Sequence, residues 1–215
     1  MHDKTSIVAD ALLSSQALKF GEFRLKSGLV SPYYIDLTWL FSSPKDLRRV
    51  VEVLAEEIVD LSSRMRIDKV ASIELKGALI LAAASSRIDI PCLIVRKESK
   101  AYGLTGRIAG GEVEEGERIL FFDDVVTDGK SKIEGIRPLE EMGAEVKAVL
   151  VVVDREQGGR ENLQRMGYQL NSVTTISEIV KSLRETRKIG EEQARLILNY
   201  VKNSRRRQLG TQNYY

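Results

Sequence analysis

The feature that most constrains how this chain folds is a set of four short, nearly continuous apolar runs, at residues 70–73, 93–95, 119–122 and 146–153. Helically patterned segments at 76–87 and 129–142 lie between them. A strand that is apolar on both faces has both faces covered, and strands that alternate with helices are joined by crossovers rather than hairpins. The pattern predicts an α/β fold, a doubly wound, mostly parallel sheet flanked by helices. A further strand at 168–175 and a helix at 176–186 continue the alternation, with Ser177 as the expected N-cap of that helix.

The flanks follow by the same rules. Residues 4–19 place Ile7, Val8, Ala11, Leu12 and Leu18 at helical spacing, which predicts an amphipathic opening helix. Residues 20–32 alternate Phe23 and Leu25 against Arg24 and Lys26, as a short strand and turn do, and residues 33–37 supply a partner strand. Ser43-Pro44 opens a helix with proline at its first position and Leu47, Val50, Val51, Leu54 and Ile58 as its buried stripe, ending near Arg64. Residues 190–203 form a last helix with Ala194, Ile197, Leu198 and Val201 on one face, ahead of a polar, basic tail. The expected organisation is one domain over residues 1–185, with 1–40 as a small N-terminal hood and 97–117 as a mobile lid. A C-terminal helical extension and tail occupy 186–215. The lid carries Gly103, Gly106, Gly110, Gly111 and Gly116 and few large apolar groups, a composition suited to a segment that closes over a ligand and excludes water.

Composition narrows the class. With 43% hydrophobic and 30% charged residues, the chain has apolar side chains enough for a packed core. Its net charge of +2 comes from 33 basic and 31 acidic residues, so it has no global field of the kind that draws a protein onto nucleic acid. The longest apolar stretches, 78–84 and 148–153, fall far short of the ~20 residues of a membrane helix, and Met1-His2-Asp3-Lys4 lacks the apolar core of a signal. The single cysteine, Cys92, lies in an apolar run and reads as a small buried hydrophobe. These features lead to the expectation of a cytoplasmic protein.

The chemistry is concentrated in Arg118-Ile-Leu-Phe-Phe-Asp-Asp-Val-Val-Thr-Asp-Gly-Lys-Ser131. An apolar strand ends in Asp123 and Asp124 and then turns, through Thr127 and Gly129, into a helix. In open α/β sheets ligands bind at the carboxyl ends of strands, where the loop feeding the next helix presents free backbone N–H groups. Thr127, Gly129 and Ser131 suit a monophosphate, while the two acids suit sugar hydroxyls or hydrated Mg²⁺. The glycine spacing is neither that of a Walker loop nor that of a dinucleotide fingerprint. An acid pair at a strand end also caps the next helix in many proteins.

Apolar strand, Asp-Asp, two hydrophobic residues and Thr-x-Gly-x-Ser resemble the phosphoribosyl pyrophosphate (PRPP) motif of type I phosphoribosyltransferases. Four further segments, Phe20-Gly-Glu-Phe-Arg-Leu-Lys-Ser-Gly-Leu-Val-Ser-Pro-Tyr-Tyr-Ile-Asp36, Glu74-Leu-Lys-Gly77, Val95-Arg-Lys-Glu-Ser-Lys-Ala-Tyr-Gly103 and Asp154-Arg-Glu-Gln-Gly-Gly159, resemble in order the signatures of the orotate-specific branch. The resemblance implies Mg²⁺-dependent transfer of ribose 5-phosphate from PRPP to orotate, giving orotidine 5′-monophosphate and pyrophosphate, in the route to UMP. It implies a homodimer in which lid residues serve the neighbouring subunit, Arg96 and Lys100 among them.

Carried over residue by residue, the resemblance gives PRPP contacts to Lys26, Lys76, Arg96, Lys97, Lys100 and Tyr102 and to the loop of Asp123, Asp124, Val125, Val126, Thr127, Asp128, Gly129, Lys130 and Ser131. Lys100, Asp123 and Asp124 are the catalytic candidates. Tyr34, Ile35, Thr127 and Arg155 form the orotate pocket, with Arg155 as a bidentate fork for the base's carboxylate. Mg²⁺ is expected mainly on PRPP and water, near Asp123 and Asp124. Taken singly, each lysine also fits a solvated surface charge, and Arg155 fits an ion pair with Asp154 or Glu156. Lys76 differs because it precedes the apolar segment 78–84, where a charge needs a ligand or a carboxylate.

Two departures stand out. The pattern's Lys-x-His-Gly is here Lys100-Ala101-Tyr102-Gly103, so the lid has no titrating imidazole. Asp128 places a negative side chain inside the phosphate loop. Two rival readings follow, a phosphoribosyltransferase for another base, or a PRPP-sensing regulator that binds nucleic acid through Arg184, Arg187, Lys188, Arg195, Lys202, Arg205, Arg206 and Arg207.

Overall fold

A computed structural model describes residues 3–24, 28, 30–98 and 106–210, with the backbone alone for 206–210. Helix α1 (Lys4–Ser14) stops short of its expected end. Gln16 takes a left-handed φ of 61°, which turns the chain, and Leu18, expected on the helix face, instead opens β1 (Leu18–Arg24). β1 pairs antiparallel with β2 (Val30–Ile35), Leu18 opposite Ile35 and Phe20 opposite Tyr33. This hairpin forms a separate two-stranded sheet. A 3-10 helix (Leu37–Ser42) follows, capped by the Asp36 carboxylate, which accepts from the Thr38 N–H. Helix α2 (Pro44–Met65) has the predicted proline at its first position, and Val50, Val51, Leu54 and Ile58 are buried along it.

The main sheet is built from β3 (Lys69–Ile73), β4 (Cys92–Val95), β5 (Ile108–Ala109), β6 (Arg118–Val126), β7 (Glu145–Asp154) and β8 (Leu170–Thr175), in the order β5-β4-β3-β6-β7-β8. Every pairing is parallel except β4 with the short β5. Helix α3 (Lys76–Ser85) leads from β3 out to β4, whereas α4 (Lys130–Glu140) leads from β6 the other way to β7. The winding therefore reverses between β3 and β6, and such a switch point leaves a crevice at the strands' carboxyl ends. The hydrophobic runs agree with the prediction, and β6 extends beyond its run to carry both acids to the rim of the crevice.

Residues of β6 alternate between the two sides, as the period of a strand demands. Leu120 and Phe122 join a core with α1, α2 and α3, while Ile119 and Phe121 join a second core beneath α4 and α5 (Gly159–Arg165). α5 was not foreseen, because its only buried apolar side chain is Leu163 and no periodicity marks it. Helix α6 (Ile176–Glu185) is capped by Thr175 rather than Ser177. Its Oγ1 accepts from Glu178 N while the Glu178 carboxylate accepts from Thr175 N, the reciprocal bonds of a capping box. Helix α7 (Glu191–Gly210) buries Ala194, Ile197 and Val201 and sets Tyr200 edge-on to Tyr33 of β2, with ring centroids 5.9 Å apart. No helix among the described residues is long and apolar enough to cross a membrane.

Candidate active site

The crevice is a cleft of about 530 Å³ between the β3–α3 and β6–α4 connections, closed on one side by the start of the 3-10 helix and by Arg155. Gly129 caps α4 at φ 87°, a left-handed value that a side chain disfavours. Gly129 and Ser131 at the start of α4 line the cleft, and a helix N-terminus at a cleft favours anions such as phosphate. Gly77 lets α3 approach from the other side. A Cβ there would lie 2.4 Å from Asp123 Oδ1 and 2.5 Å from the Ser72 hydroxyl.

The two acids are buried and differ in their bonding. Asp123 Oδ1 accepts from the Asp124 backbone N–H at 2.9 Å, and Asp123 Oδ2 lies 2.7 Å from Lys132 Nζ. Both of its oxygens are thus held by the protein. Burial, reinforced by the neighbouring Asp123 charge, raises Asp124 to about 7 despite the opposing charge of Lys132. A carboxyl poised there changes charge with small changes of surroundings. Across the cleft, Lys76 Nζ donates to Asp36 Oδ1 at 3.0 Å, which supplies the carboxylate this lysine needs. Burial opposes ionisation of Asp36, but hydrogen bonds from Thr38 and Lys76 outweigh it and hold the group below the usual carboxylate range. Lys97 lines the same cleft, its backbone N–H tied to Glu74 at 2.6 Å.

Arg155 follows β7 directly. Its neighbours are committed elsewhere: Asp154 accepts from Arg160 at 3.3 Å, and Glu156 accepts from Ser177 N at 2.9 Å. Arg155 instead donates from Nε to the Tyr33 hydroxyl at 3.3 Å and lies over the Tyr33 ring, 5.0 Å from its centroid. Its buried Nη2 has no hydrogen-bond partner among the described residues. A buried guanidinium N–H left unbonded is costly, and Arg155 is one of the residues that line the cleft.

The structure gathers many of the residues singled out from sequence and separates others. Ile35, Lys76, Lys97, Asp123, Asp124, Val125, Thr127, Asp128, Gly129, Ser131 and Arg155 line the cleft together. Val126 is fully buried, and its carbonyl accepts from Arg155 N, so it does not face the cleft. Lys130 points into solvent. The Asp128 carboxylate folds back on Lys130 N at 3.1 Å rather than across the loop. Tyr34 stands on the exposed face of β2 against Phe23, and Arg96 turns to the Gly106 carbonyl; neither is among the cleft-lining residues. Lys26, Lys100 and Tyr102 lie outside the described residues. Sequence reasoning missed Thr38, Glu74 and Lys132, and it did not foresee Tyr33 as the support of Arg155. Among the basic residues near the C-terminus, Arg184, Lys188 and Arg205 pair with Glu191, Asp10 and Glu161.

Comparison with known proteins identifies the class first. Residues 43–183 match the phosphoribosyl transferase domain. The chain is 40% identical over 171 residues to the orotate phosphoribosyltransferase of Pyrococcus abyssi, covering 80% of this chain and 92% of that protein. Of solved structures, orotate phosphoribosyltransferase from Aeropyrum pernix matches with a TM-score of 0.71 and 32% identity, over 85% of this chain and 99% of the other. The UMP synthase of Leishmania donovani matches with a TM-score of 0.80 and 31% identity, over 93% of this chain but only 42% of that one. This chain belongs to the phosphoribosyltransferases and, among them, to the orotate phosphoribosyltransferase family.

Proposed function

We propose that the protein transfers ribose 5-phosphate from PRPP to a ring nitrogen of orotate, giving orotidine 5′-monophosphate and pyrophosphate in pyrimidine biosynthesis. The observation that carries the reading is the pairing, in one cleft, of a phosphate-type loop and acid pair with a buried arginine whose Nη2 lacks a partner. The loop of 123–131 takes the 5′-phosphate and ribose of PRPP, and Lys76 and Lys97 face its pyrophosphate. Thr127, Ile35 and Arg155 take orotate, Arg155 reading the carboxylate that separates orotate from uracil. Bond cleavage leaves positive charge on the ribose and negative charge on pyrophosphate, so acids beside the sugar and cations beside the leaving group stabilise the transition state. Mg²⁺ fits the same donor set. Asp123 and Asp124 line the cleft together with Glu74 and Asp128, oxygen donors that suit an ion that keeps much of its water and takes further oxygens from the substrate. When bound, it neutralises the pyrophosphate.

The reading retains residues 97–117 as the lid and 1–40 as the hood, with Lys26, Lys100 and Tyr102 at PRPP and Lys100 donated across a homodimer. Mixing folded Lys100→Ala with Asp123→Asn/Asp124→Asn under subunit exchange tests the sharing, because one site of the mixed dimer is then complete. The principal test is the fall of orotate absorbance with PRPP and Mg²⁺. Turnover is expected to disappear on chelation; full activity in excess chelator, or no turnover of orotate while another base reacts, would refute the assignment.

A further inference from the structure

Lys132 is the strongest feature that the proposed chemistry leaves unused. It sits in the first turn of α4 with 4% of its surface exposed. Lysines are seldom so buried, because an ammonium removed from water needs a charge partner and acceptors for its three N–H groups. Here Nζ lies 2.7 Å from Asp123 Oδ2, donates to the Val125 carbonyl by a short hydrogen bond, and donates to Ser131 Oγ at 3.2 Å. All three donors are satisfied. Asp123 and Val125 belong to the incoming strand and Ser131 to the outgoing helix, so one side chain ties together both ends of the loop that lines the cleft.

We propose that Lys132 is a positioning residue of the donor site, acting through Asp123: it balances that carboxylate's charge and fixes its orientation, which keeps the loop of residues 123–131 in its PRPP-binding shape. Without the ammonium, two buried carboxylates would adjoin with no cation in contact. Asp123 would be free to rotate off the Asp124 N–H, and the loop would lose its only buried charged tie among the described residues. The role rests on reading Asp123 and Asp124 as the PRPP side of the cleft, and does not depend on which base is accepted.

The test is PRPP binding in the presence of Mg²⁺, measured by calorimetry on the intact protein alongside thermal unfolding and steady-state kinetics. Lys132→Met keeps the volume and removes the charge. By analogy with partners that orient ligand-binding carboxylates, it is expected to weaken PRPP binding roughly 10- to 100-fold, with the KM for PRPP rising in step and that for orotate changing little. The same substitution made on top of Asp123→Asn is expected to cost little more than Asp123→Asn alone, because the route through Asp123 is already cut. The double variant removes the Asp123 charge together with the ammonium that balances it, leaving Asp124 as the one acid of the pair, so it reports even where Lys132→Met alone does not fold. Unchanged PRPP affinity in folded Lys132→Met, or an equal loss in both backgrounds, would overturn the role. Failure of the wild type to bind PRPP would remove the site reading and this role together, whereas wild-type binding with an indifferent Lys132→Met would remove this role alone.

Discussion

The two halves of the cleft are built in different ways. The centre of the donor half is local: Asp123 to Lys132 is one strand end, one turn and one helix start, with Lys132 paired to Asp123 inside that stretch, and only Lys76 and Lys97 of the cleft's cations come from elsewhere on that side. The acceptor half is assembled from distant parts of the chain. Arg155, at the end of β7, rests on Tyr33 of the hairpin, 122 residues away in sequence, and Tyr33 is buttressed in turn by Tyr200 from α7. A phosphate-binding loop can be specified by a short motif because backbone N–H groups do much of the binding. Recognition of one base needs side chains placed from several elements, so it varies more freely on a fixed donor site.

The contrast is broken most severely at the acids. Asp123→Asn with Asp124→Asn is expected to lower kcat/KM for PRPP by roughly 100- to 1000-fold or more, as loss of preorganised charge at a transition state does, while the far-ultraviolet spectrum stays native. Wild-type kinetics in the folded variant would reduce the pair to a helix cap. Next in size, Arg155→Ala should raise the KM for orotate roughly 10- to 100-fold, the scale of losing a charge-assisted hydrogen-bond pair, with PRPP little affected. A matching rise for both substrates would show that the two halves are not separable.

The pH response sharpens the donor side. Folded Asp124 keeps its proton to about 7, against an ordinary value of 3.8 in the unfolded chain. Between these values the unfolded state binds fewer protons, so the group's contribution makes the fold less stable as pH rises from 4 towards 7. Asp124→Asn should therefore raise the unfolding midpoint at pH 8 and leave it nearly unchanged near pH 4. In the wild type, kcat/KM for PRPP should fall about tenfold per unit of acidification below pH 7, provided the ionised acid is the active form. A flat profile from pH 5 to 8 would assign the ionised form throughout.

How much was legible in the sequence follows the same division. The strands of the sheet announced themselves by continuous apolar runs, and the loop of 123–131 by its residue types. Lys132 did not, since a lysine one place after Ser131 looks like any solvated helix residue until the fold turns it under Asp123. Arg155 was found only by resemblance. Its local sequence offered ion pairs with Asp154 and Glu156 that the fold gives to Arg160 and to the α6 N-terminus. Ser177 was the expected cap, and the structure places the cap at Thr175 because Glu178 reaches back to close a capping box with it.

The smallest expected effect tests how far the acceptor half extends. Tyr200 is not among the cleft-lining residues; it meets the Tyr33 ring edge-on, with an interplanar angle of 86°. Burial pushes the Tyr33 hydroxyl up in pKa, with Arg155 opposing, so it stays a neutral phenol whose oxygen accepts from Nε. An edge-to-face pair is worth about 0.5–1.5 kcal/mol beyond its area, which corresponds to a roughly 2- to 13-fold change if all of it is felt at Arg155. Tyr200→Leu keeps most of the apolar bulk and removes the ring edge, so the KM for orotate is expected to rise by no more than that range while PRPP binding stays unchanged. Tyr200→Phe, which retains the ring, should behave as wild type. If Tyr200→Leu weakens PRPP binding as much as orotate binding, α7 supports the whole cleft and the two halves are less independent than their construction implies.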